Sequence, residues 1–312
     1  VKPPWTVLIF LIWATTVGVA APKHGDTYVI GVSQCNLGEP WRVQMNADIA
    51  QAAAAHAELK LVFKDAQNDT LTQRAQIEEF VNAGVDLLIV SPKEAAPLTS
   101  PVAEAYRKGI PVIVLDRQVL GDRFTQFIGA DNRKIGEAAG QWVRQKLAQL
   151  KPGGRARVVE LEGLMTSTPA QDRRAGFHAG LKDAPVDFVF VADMKWLEPQ
   201  ARTEMESALA VNDQIDLVYA HNDPGAHGAY LAAKAAGRDK EILFVGIDAL
   251  PQEGQTYVRQ GILAASFEYP TGGREAVASA VEILQGRAIP KTITLRSRVF
   301  TPENIARGGD QL

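Results

Sequence analysis

Two tryptophans and three arginines stand where apolar runs of the chain give out. Trp41-Arg42 follows Pro40 in the stretch GVSQCNLGEPWRVQMN, Asp116-Arg117 closes GIPVIVLDR, and Trp196 follows FVFVADMK. Asn222-Asp223 closes IDLVYAHND, Asp248 closes EILFVGID, and Arg173 sits in AQDRRAGF. Together these residue types suit a polyhydroxylated ring. Its C–H faces stack on aromatic side chains, and each hydroxyl both donates and accepts. Trp41 and Trp196 can supply the faces. Asp116 and Asp248 can accept from adjacent hydroxyls, while Arg42, Arg117 and Arg173 donate in a rigid fork. Charged hydrogen bonds of roughly 1.5–3 kcal/mol each would carry most of the selectivity.

Each of these residues also has a plainer reading. The tryptophans can be core residues, Arg117 a structural partner of a carboxylate, and Arg173 a surface helix arginine. Glu39 and Glu268 read equally as site residues or as solvated loop positions. Other chemistries lack their signatures. No G-x-G-x-x-G follows the first strand and no G-x-x-x-x-G-K-[ST] occurs, which leaves nucleotide phosphates without a cradle. Neither a G-x-S-x-G elbow nor H-E-x-x-H is present. His221 and His227 lack matched partners for a metal, and Cys35 reads as a buried inert thiol. No catalytic residue, metal or cofactor is therefore expected.

Elements must now be found to position the set. The runs YVIGV, LKLVF, VDLLIV, IPVIVLD, ARVVEL, FVFVA, IDLVYA and EILFVGID are short, unbroken and apolar, as expected for parallel strands buried on both faces. Segments of helical period separate them, one opening at Pro40 and carrying Met45, Ile49, Ala52 and Ala53, another carrying Ile135, Ala139 and Trp142. Alternating strands and helices predict an α/β fold with parallel sheets. The order repeats: Asp86 to Asp116 and Asp216 to Asp248 are βαβ units of nearly equal span, which predicts two lobes built alike. Ligands of open parallel sheets bind at the carboxyl ends of the strands, where the residues above fall.

Composition sets the class. The 312 residues are 46% hydrophobic and 22% charged, with a formal net charge of -3, which argues against a nucleic-acid partner. One cysteine excludes an intramolecular disulfide framework. Lys2 precedes WTVLIFLIWATTVGVAAP, an apolar run short for a membrane span and ending in small residues. It predicts an export signal over residues 1–20, cut after Ala20.

In order and spacing, AGVDLLIVSP, GIPVIVLDR, IGADN, VVELEG, QDRRAGF, AHND, GIDALP and GILAASFEYP resemble the type I periplasmic sugar-binding proteins, from about Tyr28 to Thr301. The resemblance implies two doubly wound parallel-sheet lobes joined by a three-strand hinge, residues 27–129 plus 269–294 and 130–268 plus 295–312. It implies ligand contacts from Trp41, Asp116, Arg117, Arg173, Trp196, Asn222 and Asp248, with a polar residue near Glu268. Ribose-binding members carry two adjacent aromatics where this chain has Trp41-Arg42. The Trp-Arg pair is similar to that of galactofuranose-binding members, which share the SQ ending at Gln34. Some periplasmic sensor domains of histidine kinases have a similar SQC…WR…MN opening. The expectation is a monomeric periplasmic receptor for a monosaccharide or polyol, handing it to an ABC permease. The alternative is a sensor that presents the ligand-bound form to a membrane kinase or chemoreceptor.

Overall fold

The computed structural model describes residues 26–312; the export segment expected over 1–20 lies outside the described residues. The chain opens with β1 (Tyr28–Gln34), α1 (Pro40–Ala53), β2 (Leu59–Asp65), α2 (Thr70–Ala83), β3 (Leu87–Ser91), α3 (Ala95–Arg107), β4 (Val112–Leu115) and β5 (Gln126–Ala130). It continues with α4 (Asn132–Leu150), β6 (Ala156–Glu162), α5 (Thr168–Leu181), β7 (Val186–Asp193), α6 (Glu198–Val211), β8 (Leu217–Ala220), α7 (Asp223–Ala235), β9 (Leu243–Asp248), α8 (Gly254–Arg259) and β10 (Ala265–Glu268). Last come α9 (Gly273–Leu284), β11 (Thr292–Leu295), β12 (Arg298–Phe300), a short 3-10 turn at Ile305–Arg307, and β13 (Asp310–Gln311).

Two sheets result, ordered β11-β5-β4-β3-β1-β2 and β13-β12-β10-β9-β8-β6-β7. Counted within each lobe, both follow the 2-1-3-4-5 winding of doubly wound folds. All pairings in the first sheet are parallel. In the second, β12 and β13 pair antiparallel at one edge. The chain leaves the first sheet after Ala130, returns through residues 269–272, and crosses again at 296–297 between β11 and β12.

The central strands β3, β4 and β8 are buried throughout, as continuous apolar runs require. The edges differ from that expectation. β2 and β7 alternate between half-buried and exposed residues, because an edge strand has a neighbour on one side alone. Lys60 and Lys64 on β2 discourage pairing with another chain.

In the first lobe α1 packs with α9 and α2 with α3; in the second α4 packs with α5 and α6 with α7. The α4–α5 contact is unusually close. A Cβ added at Gly136, Gly140, Gly176 or Gly180 would lie 2.1–2.4 Å from a carbonyl oxygen of the opposing helix. Bare glycines let the two backbones touch, and that contact fixes α5, the helix that carries Arg173.

Candidate functional site

Strand ends of both lobes feed one cavity between the sheets. From the first lobe, β1 leads through a polar loop into α1. Pro40 occupies the first helical position, where its missing N–H costs nothing, and puts Trp41 and Arg42 in the opening turn. Ser91 ends β3, and Asp116-Arg117 follows β4. From the second lobe come Arg173 in the first turns of α5, Trp196 before α6, Asn222 capping α7, and Asp248 ending β9. Asn222 caps through its side chain, which accepts from Gly225 N at 2.9 Å. The space between the lobes is narrow and ringed by side chains of both.

Three of the lining residues hold their backbones in the left-handed region without being glycine: Asp116 (φ 72°), Trp196 (φ 70°) and Asp248 (φ 127°). Strain of that kind costs of order 1–3 kcal/mol per residue and persists where surrounding contacts impose it. For Trp196 the contacts are visible. Asn222 Nδ2 donates to its carbonyl at 3.0 Å, and its ring lies on Gly163, where a Cβ would come within 2.4 Å of three ring atoms.

The first-lobe wall is a polar network centred on Arg42. Arg42 donates from Nε to Glu39 Oε1 (3.2 Å), from Nη1 to Gln34 Oε1 (3.1 Å) and Ser91 Oγ (2.9 Å), and from Nη2 to Asp116 Oδ2 (3.0 Å). Burial alone would make this guanidinium easier to deprotonate, but Cys35, Glu39 and Asp116 hold its pKa well above the ordinary value. Arg117 donates from Nη1 to the Lys93 carbonyl at 2.9 Å and sits over the Trp196 ring of the other lobe. Cys35 is fully buried beneath it, and burial raises its thiol pKa.

The second-lobe wall is less satisfied. Arg173 donates from Nε to Asn132 Oδ1 at 2.8 Å and from Nη1 to the His221 carbonyl. Asp248 Oδ1 is 3.7 Å from Arg173 Nη1 and receives no hydrogen bond among the described residues. Burial pushes its carboxyl well above the usual range, with Arg173 opposing. Two buried donors lining the cavity, Arg117 Nε of the first lobe and Trp196 Nε1 of the second, make no hydrogen bond among the described residues, though Arg117 Nε lies 3.8 Å from Asp116 Oδ2. Those groups are free to meet a ligand's oxygens. Behind this wall Asp223 is wholly buried, accepting from Ser266 Oγ at 2.8 Å and from Ala249 N at 2.7 Å. Burial raises its pKa to about 6. His221 and His227 face Glu160 and Glu198, and no metal-sized cluster of His, Cys, Asp or Glu forms among the described residues.

Of the residues singled out in the sequence, Glu39, Trp41, Arg42, Asp116, Arg117, Arg173, Trp196, Asn222 and Asp248 are brought together around the cavity. Two are not. Gln34 stands behind Arg42, donating to Asn46 Oδ1 at 3.2 Å as well. Glu268 points to a neighbouring surface cleft, with its carboxylate 3.7 Å from Arg298. The wall position is taken by the next residue, Tyr269, since successive side chains at a strand end point to opposite sides. Tyr269 stacks on Trp41 (5.0 Å between centroids, 24°), accepts at its carbonyl from Trp41 Nε1 at 2.7 Å, and donates from its hydroxyl to Asp116 Oδ1 at 2.8 Å. An aromatic before a proline in GILAASFEYP was the available signal. Pro169, at the start of α5, also lines the space.

The chain is similar to known proteins over most of its length. A ribose import binding protein of Bacillus subtilis is 30% identical over 303 residues, covering 95% of this chain and 96% of that one. The fructose binding periplasmic domain of a hybrid two-component system superposes with a TM-score of 0.85 at 42% identity, covering 90% of this chain and 92% of that one. A protein from Mycobacterium smegmatis in complex with β-D-fucofuranose gives 0.85 at 30% identity, covering 90% and 93%. The model of the periplasmic binding protein domain matches residues 30–288. With its two 2-1-3-4-5 lobes and its buried polar cavity at their strand ends, the chain belongs to the periplasmic binding protein family, in its type I sugar-binding group.

Proposed function

We propose that this protein is a periplasmic receptor that closes over one monosaccharide and delivers it to an ABC importer. The observation that carries the reading is the lining itself: a tryptophan from each lobe, three arginines and three carboxyl groups around one space. Rings on opposite sides take the two faces of a sugar, and the charged groups take its rim. Three arginines face three carboxyl groups, and together they offer donors and acceptors to the hydroxyls of a sugar. The moving bodies are residues 27–129 plus 269–294 and 130–268 plus 295–312, turning about the three crossings. A ligand shifts such an equilibrium by its differential affinity for the closed form, so grips from both lobes are needed.

The relatives narrow the sugar. One carries ribose import in its name, one binds fructose and one was captured with a furanose. D-fructose, the sugar in the name of the 42% identical neighbour, is the first ligand expected here. A second reading has specific support. The 42% identical neighbour belongs to a two-component system, so the same closed lobes can serve a membrane kinase instead of a permease. Export to the periplasm and action as a monomer complete the proposal.

A thermal-shift screen of the exported chain against D-fructose, D-ribose, L-arabinose, D-galactose, D-xylose and myo-inositol tests it. A ligand at 100 times its Kd stabilises by about 2.7 kcal/mol. One or more of these sugars should raise the midpoint, and a flat response to all six would overturn the reading.

A further inference from the structure

Tyr269 belongs to neither sheet. It lies in the returning crossing just beyond β10, yet it is 3% exposed and touches both walls of the cavity. Its ring stacks on Trp41 of the first lobe, and the Arg173 guanidinium of the second lies 4.5 Å from its centroid. Its hydroxyl donates to Asp116 Oδ1 at 2.8 Å and accepts from Asn132 Nδ2 at 3.3 Å.

The consequence falls on Asp116. A carboxylate has about four acceptor sites. Oδ2 already accepts from Arg42 Nη2 at 3.0 Å and from Ser91 Oγ at 3.4 Å, and Oδ1 accepts from Tyr269. Three donors from the protein leave Asp116 about one site for a ligand. Asp248, across the cavity, has its carboxylate oxygens free of protein hydrogen bonds among the described residues, with Arg173 Nη1 3.7 Å away.

We infer that Tyr269 is a specificity-determining residue of the sugar site: by occupying Asp116 Oδ1 and fixing the Trp41 ring, it restricts Asp116 to reading one ligand hydroxyl. The inference rests on the monosaccharide-receptor reading. A sugar whose hydroxyl meets the remaining site is accepted, and its epimer at that carbon finds Asp116 Oδ1 already taken by the Tyr269 hydroxyl. Without the hydroxyl, Oδ1 is open to a second ligand group, and epimers that were rejected gain a partner.

Calorimetric titration of wild type and Tyr269→Phe with the same six sugars decides it. The expected result is a shift in ranking: the Kd ratio between the best and next-best sugar falls at least fivefold in the variant. Tyr269→Met, which also lacks the hydroxyl, carries the test if the Phe variant does not fold. An unchanged ratio overturns the inference, whether affinities stay the same or fall equally for every sugar, and leaves the receptor reading standing. Absence of binding by wild type to all six overturns the receptor reading and this inference with it.

Discussion

Arg42 Nη2 donates to Asp116 Oδ2 at 3.0 Å, with both side chains only 3% exposed. The pair joins the opening turn of α1 to the end of β4, two strands away in the sheet. An arginine so placed is chiefly a strut. Glu39, Gln34 and Ser91 take its other donors, and little of its fork remains for a ligand.

Removing that strut should therefore cost stability as well as affinity. Breaking a buried pair from one side leaves an uncompensated charge, worth roughly 3–5 kcal/mol. Urea unfolding of Arg42→Ala should show a loss of about that size. A loss below about 1 kcal/mol would mean the network relaxes without it.

Arg173 has the opposite balance. Its Nη2 has no protein partner among the described residues, and it is the cation nearest Asp248. Arg173→Ala should weaken sugar binding by about ten- to a hundred-fold, the equivalent of roughly 1.5–3 kcal/mol. Calorimetric titration reads this directly, and unchanged affinity would remove Arg173 from the site.

Gly163 offers a test of Trp196 that leaves every polar group in place. A methyl there would come within 2.4 Å of the ring, so Gly163→Ala must push the indole toward the cavity or out of it. Overpacking of this kind costs about 1–3 kcal/mol. The variant should fold, shift its tryptophan emission and lose sugar affinity. Normal affinity would show that the ring does not stack on the ligand.

Buried carboxyls give the protein a pH signature. Burial raises Asp223 from 3.8 to about 6 and Glu253 from 4.5 to about 7. Between those limits the folded state holds more protons than the unfolded one, so these groups make stability fall as pH rises from about 4 to 7. Glu160 acts in the other direction at lower pH. Its burial opposes ionisation, but hydrogen bonds to His178 and His221 hold it at about 2 against an ordinary 4.5, so its contribution is lost as pH falls through that range. Denaturant midpoints of Asp223→Asn should decline less between pH 4 and 6 than those of wild type. Parallel curves would refute the assignment.

Much of this site can be read along the chain because strand ends announce themselves. Asp116, Asn222 and Asp248 each terminate an unbroken apolar run, and parallel sheets place such ends on one edge. The repeat of βαβ units likewise foretold the shared winding of the two lobes. What escaped depended on direction and on distant partners. Glu268 and Tyr269 differ by one residue, and a one-residue slip at a strand end exchanges the wall for the outside. Sequence placed Arg42 beside Trp41 but gave no hint that Ser91 and Asp116, from two other strands, would use up its donors. The half-exposed faces of β2 and β7 follow from sheet order, which composition does not encode.

A sugar gripped by both lobes must draw them together. Small-angle scattering of the wild-type chain, alone and with the saturating sugar found by thermal shift, measures that closure. Ligand should reduce the radius of gyration and abolish any broad, open population, and Arg173→Ala should respond less at the same occupancy. A radius that does not change when the sugar is bound would contradict closure of one lobe onto the other.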